Sequence, residues 1–132
     1  MEEFNKNKFI GIPFKLNRRD FSGCDCRGIV WLYYRYAKEI FLPFSDGKRV
    51  FFRNKKKDYE RMANVIKTFA KPILFKDLDE GDIVILKNYK SISALGVCIN
   101  KQFILHMDLV VGSCLTRIRY LENLFLAAYR PL

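Results

Sequence analysis

Two segments of the chain carry apolar residues at the spacing of a helix face, and most of the remainder alternates at the spacing of strands. Cys26, Ile29, Val30, Tyr33, Tyr36, Ala37 and Ile40 recur three and four apart, which predicts a helix over residues 25–38. Ser22, Gly23 and Asp25 supply its start signals, and Pro43 with Ser45, Asp46 and Gly47 ends the region. Tyr59, Met62, Ala63, Ile66 and Phe69 share one face of a second predicted helix, residues 58–70, with Pro72 as its stop. Between the two, Lys48, Arg49, Arg53, Lys55, Lys56 and Lys57 read as a basic loop or ribbon.

The second half reads as a meander. Gly81-Asp82 opens Ile83-Val84-Ile85-Leu86, a continuous apolar run that suits a strand buried on both faces. Leu95, Val97 and Ile99 alternate with Gly96 and Cys98, and Asn100-Lys101 turns the chain into Phe103-Ile104-Leu105-His106. Further strands are expected at 115–120 and 126–130. Helices first and antiparallel strands afterwards predict a single α+β domain spanning residues 1–132.

Composition narrows the function classes. Of 132 residues half are apolar, with twelve Phe and seven Tyr, which excludes a disordered chain. No apolar run approaches the roughly 20 residues of a membrane span, and the first residues, Met1-Glu2-Glu3-Phe4, carry no export signal. Lys and Arg outnumber Asp and Glu by 24 to 14, a net charge of +10 that attracts polyanions without choosing among them. With no export signal, Cys24, Cys26, Cys98 and Cys114 read as thiols, and Cys24 and Cys26 are too close in sequence to bridge comfortably.

The most reactive placement is that of Cys26. A cysteine in the first turn of a helix meets unpaired N–H groups and the positive end of the helix dipole, both of which favour a thiolate. The competing reading makes Cys26 a small apolar residue packed under the helix. Trp31 and the tyrosines from Tyr33 to Tyr36 read as core and helix-packing residues, with Arg35 reaching outward.

Phe9-Ile10-Gly11-Ile12-Pro13-Phe14 and Arg19-Asp20-Phe21-Ser22-Gly23-Cys24-Asp25-Cys26-Arg27-Gly28 resemble the nucleophile region of the NlpC family of papain-like cysteine peptidases. The likeness is to the branch found in bacteriophage tail proteins, where Cys-Asp-Cys-x-Gly opens the central helix. Three later segments resemble family landmarks in the same order. Leu78 to Leu86 resembles the Gly-Asp strand, residues 95–99 with 103–106 the paired strands, and 126–131 the closing strand of the tail-protein branch. The resemblance implies a papain-like α+β fold with a Cys-bearing helix packed on about five antiparallel strands.

It also implies site residues. Cys26 stands at the nucleophile position and His106 at the position of the residue that orients the base. The base itself, a His two residues before Gly96, is replaced by Ala94. Since His106 is the only histidine, nothing at residue 94 can take up or deliver a proton, and such general acid–base help is typically worth about 10² to 10⁴ in rate. The expectation is therefore a vestigial site in a structural subunit of a phage tail tip or baseplate hub, located in the virion and contacting other tail proteins. The alternative is an active peptidoglycan-cleaving peptidase, in which His106 serves as base with Asp108 orienting it.

Two other readings use the same residues. Cys24, Cys26, Cys98 and His106 are all of zinc-ligand type, but they lack the spacing of a Cys-x₂₋₄-Cys knuckle, so no metal and no cofactor is expected. The basic stretch with Phe51 and Phe52 could face nucleic acid, but no recognisable binding motif accompanies it. A solvated loop whose Phe residues turn inward is the preferred reading, and as a partner an acidic neighbouring subunit is placed ahead of nucleic acid.

Overall fold

A computed structural model describes residues 6–43, 55–87 and 93–132. Its elements are β1 (Arg19–Asp20), β2 (Gly23–Cys24), α1 (Cys26–Ala37), α2 (Lys55–Lys67), β3 (Ala70–Pro72), β4 (Ile83–Lys87), β5 (Ser93–Cys98), β6 (Phe103–Asp108), β7 (Gly112–Arg117) and β8 (Phe125–Pro131), with 3₁₀ turns at Lys6–Phe9, Phe75–Asp77, Ile118–Tyr120 and Glu122–Leu124. The expected α+β architecture is present: β1 and β2 form a small ribbon, and six strands form one sheet in the order β3-β8-β4-β5-β6-β7, every pairing antiparallel.

The sheet is covered on both faces, and β4 shows why its sequence does not alternate. Ile83 and Ile85 enter a first core with Ile29, Val30 and Tyr33 of α1 and Ile66 of α2. Val84 and Leu86 point the other way, into a second core with Leu78, Cys98, Ile104, Leu121 and Ala128. Each fully buried Ile or Val of this kind stabilises the fold by roughly 1.5–3 kcal/mol, so both faces of the run are used. Helix α1 packs on β5 and β6, and α2 on β3 and β5.

Three details depart from the sequence expectations. Helix α2 ends at Lys67, and Ala70, Lys71 and Pro72 pair with Pro131, Arg130 and Tyr129 as a sixth strand. Pro72 is therefore the last residue of an edge strand, where its missing N–H costs no ladder bond. The last hairpin is also displaced: β7 covers Gly112–Arg117 rather than 115–120. Asp108 takes the N–H groups of Val110 and Val111 at 2.7 and 3.0 Å, which folds the aliphatic Leu109-Val110-Val111 into an exposed turn instead of a strand. Of the basic stretch, residues 48–54 lie outside the described residues, and Lys55, Lys56 and Lys57 open α2 rather than a loop.

The N-terminal segment is stitched to β7. The Ser113 hydroxyl donates to the Phe9 carbonyl (2.6 Å) and accepts from the Ile12 N–H (2.8 Å), while main-chain bonds join Gly11 and Ile12 to Ser113. Gly112 permits this contact: its φ is +85°, and a Cβ there would fall 2.4 Å from the Ile12 carbonyl oxygen. Among the described residues no helix is long and apolar enough to cross a membrane.

Candidate functional site

Asp25 fixes the start of α1. It is buried and extended, and its carboxylate accepts the Gly28 N–H at 2.8 Å and the Asn17 N–H at 3.0 Å. That is the N-cap arrangement expected of Asp at this position. Gly28 has a separate reason to lack a side chain, since a Cβ would lie 2.3 Å from the Arg18 carbonyl oxygen. The Asp-Cys-x-Gly run is thus a packing motif in its own right: Asp closes the helix end, and Gly lets residues 18–19 lie against its first turn.

Cys26 is the first residue of the helix, as expected, and it is 8 % exposed within the first core. The cap lies next to it, so one first-turn amide and part of the positive end of the helix are already engaged by the Asp25 carboxylate. The neighbouring Cys24 thiol is pushed up to about 12, first by burial and then by the negative charge of Asp25. All four cysteines are thiols. Cys24 and Cys26 belong to the first core, and Cys98 to the second, where burial followed by Asp82 raises its thiol to about 12 as well.

Ala94 lies on β5 opposite Leu86, half-buried and packed against the core that contains Cys26. His106 lies on β6, opposite Gly96 on one side and Cys114 on the other. Its Nε2 is 2.7 Å from Thr116 Oγ1 and 3.6 Å from Cys114 Sγ, so the imidazole is joined to β7. Asp108 serves the hairpin turn described above, and its carboxyl is held below the usual range by those two N–H bonds. Thr116 and Cys114 were not singled out from the sequence as partners of His106. The signal that could have found them is the β6–β7 register, which becomes legible only once Gly112 is recognised as the start of β7.

Burial lowers the His106 pKa below its ordinary value, and the negative charge of Asp108 opposes it. The folded protein therefore holds a neutral imidazole more tightly than the unfolded chain does. Stability from this group is fully present above the unfolded pKa near 6.5 and is lost as pH falls toward the lower folded value. Urea midpoints measured from pH 7.5 to 5 are expected to decline across this window, with a slope of at most about 1.4 kcal/mol per pH unit, and a His106→Gln variant should flatten it. A wild-type midpoint that stays constant over that range would remove the buried neutral imidazole from the account.

No protein-family model and no curated protein matches the sequence. The fold does match solved structures. The NlpC/p60 domain of the peptidoglycan hydrolase SagA superposes with a TM-score of 0.63 at 14% identity, over 92% of this chain and 89% of that one. A lipoprotein-like protein of the NLP/P60 family from Staphylococcus aureus superposes with a TM-score of 0.59 at 16% identity, over 99% of this chain and 43% of that one. This chain thus spans less than half of the staphylococcal protein. The architecture is that of an NlpC/p60 domain, with a cysteine-led helix against an antiparallel sheet.

Proposed function

We propose that this chain is an NlpC-type module without peptidase activity, serving as a structural subunit of a phage tail tip or baseplate hub. The observation that carries the reading is Ala94: a methyl group occupies the position where the family resemblance calls for the base, packed against the core that holds Cys26. Amide cleavage needs a thiolate and then a proton for the leaving amine, and the single imidazole of the chain is bonded to Thr116 and Cys114. An assembly role is supported by the β6–β7 tip, where Leu109, Val110 and Val111 are 58, 92 and 66 % exposed. Contiguous exposed apolar groups, unlike apolar residues scattered singly, are a feature of protein interaction sites. The partners would be neighbouring tail proteins, and the location the virion.

The Cys26-led helix favours one second reading, a peptidoglycan-cleaving cysteine peptidase that opens the cell wall. Incubation of the purified protein with muropeptides separates the two. No product above that of a Cys26→Ala control is expected, and product that depends on Cys26 would establish the peptidase. An Ala94→His variant tests the placement of the base: alkylation of Cys26 by iodoacetamide at pH 6–7 should accelerate by about tenfold or more as an imidazole joins the thiol. An unchanged alkylation rate would mean that residue 94 does not face the sulfur.

A further inference from the structure

A concave site lies against the second core, lined by residues other than those of the Cys26 helix. It is a cleft of about 320 Å³ between the 3₁₀ turn at 75–77, the β5–β6 turn and the end of β7. Four cationic side chains line it: Lys76, Lys101, Arg117 and Arg119. Among the described residues none of the four forms an ion pair. Arg117 rests its guanidinium over the Phe103 ring and Arg119 over Tyr120, which holds both charged ends without neutralising them. One carboxylate, Glu122, shares the cleft. Like charges gathered in a concavity with low-dielectric walls repel one another and focus a positive potential, and an anion bound between them relieves the repulsion.

The remaining lining says more about that anion. Phe75, Leu78 and Ile118 form an apolar floor continuous with the second core. Gln102 and Glu122 add groups that accept hydrogen bonds from hydroxyls. Of the rings near the cleft, Phe75 packs against Phe125 and Phe103 lies under Arg117. Cations for phosphate, acceptors for hydroxyls and an apolar floor for a short carbon chain occur together. We infer that this cleft binds a phosphate diester of a small polyol, of the glycerol-phosphate type, whether carried on a soluble polymer or on a lipid headgroup. The inference does not depend on whether Cys26 is active.

The probes are a soluble glycerol-phosphate oligomer and vesicles containing phosphatidylglycerol, titrated into the intact protein at physiological salt. Saturable binding of at least one probe is expected. The double variant Arg117→Gln, Arg119→Gln should weaken it about tenfold or more, because each guanidinium–phosphate contact is charge-assisted and bidentate in favourable geometry. Both residues are exposed, so the fold should tolerate the change. A control variant of equal net charge, Lys67→Gln, Lys87→Gln, alters exposed cations that do not line the cleft and should bind as the wild type does. Binding of the oligomer identifies a soluble source, and binding of vesicles alone identifies a headgroup. The inference is overturned if neither probe saturates or if the control variant loses as much as the cleft variant. It is also overturned if polyglutamate or single-stranded DNA of equal charge binds as tightly as the better probe.

Discussion

Replacing Arg130 by Met should lower the urea midpoint of the protein, because it leaves the buried Asp82 carboxylate without its cation. Asp82 is 1 % exposed, and its carboxylate receives two guanidinium bonds from Arg130, both at 2.9 Å, and the Asp79 N–H at 2.7 Å. Without the guanidinium the carboxylate remains buried with one main-chain donor. The reverse change is milder. Asp82→Asn keeps an acceptor for the Asp79 N–H, and the released Arg130, whose side chain is 40 % exposed, can turn to water. A smaller loss is expected there, because no uncompensated buried charge is left behind. The order of the two losses is the test. Urea denaturation in which Asp82→Asn costs as much as Arg130→Met, or more, would show that the pair is not stabilised by relieving a buried carboxylate.

The same residues show how far the sequence could be read. Gly81-Asp82 before an apolar run marked a strand start, but nothing local indicated that Arg130, 48 positions away, would reach back to Asp82. That contact exists because β8 inserts between β3 and β4. Helix α1 was legible almost to the residue because its signals are local: a capping Asp, an apolar stripe and a turn after it. The sixth strand was not, since three residues ending in proline carry little strand signal and pair only because β8 lies beside them. The displaced hairpin failed for a similar reason. Val110 and Val111 have high strand propensity, and the Asp108 side chain outcompetes that propensity by capturing both of their N–H groups. At the candidate site the place of Cys26 at the head of α1 was legible from local signals, whereas a base position at residue 94 is implied only by the family resemblance. The partners of His106 were not legible, because they depend on a register that the displaced hairpin concealed.

Gly28→Ala tests whether the Asp-Cys-x-Gly run is a packing motif. In an ordinary helix the change would help, since alanine is favoured over glycine by up to about 1 kcal/mol. Here the new methyl carbon would stand 2.3 Å from the Arg18 carbonyl oxygen, 2.9 Å from the Cys24 Cβ and 3.2 Å from the Arg19 Cα. Two of those three neighbours are backbone, and Arg18 is held in place by its carbonyl bond to the Asp25 N–H. Relief therefore requires the segment before β1 to move off the helix, and Asn17 cannot then keep its bond to the Asp25 cap. Overpacking costs typically about 1 to 3 kcal/mol and occasionally more, and the loss of a bond to a charged cap adds about 1 kcal/mol or more. A net loss of about 1 to 3 kcal/mol is expected after the gain in helix propensity is subtracted. Amide exchange should locate the loss at Asn17, Arg19 and the first turn of α1, with alkylation of Cys26 accelerating as the turn opens. If Gly28→Ala instead raises the urea midpoint, helix propensity outweighs the overlap, and the close approach of residues 18–19 to the Cys26 helix is wrong.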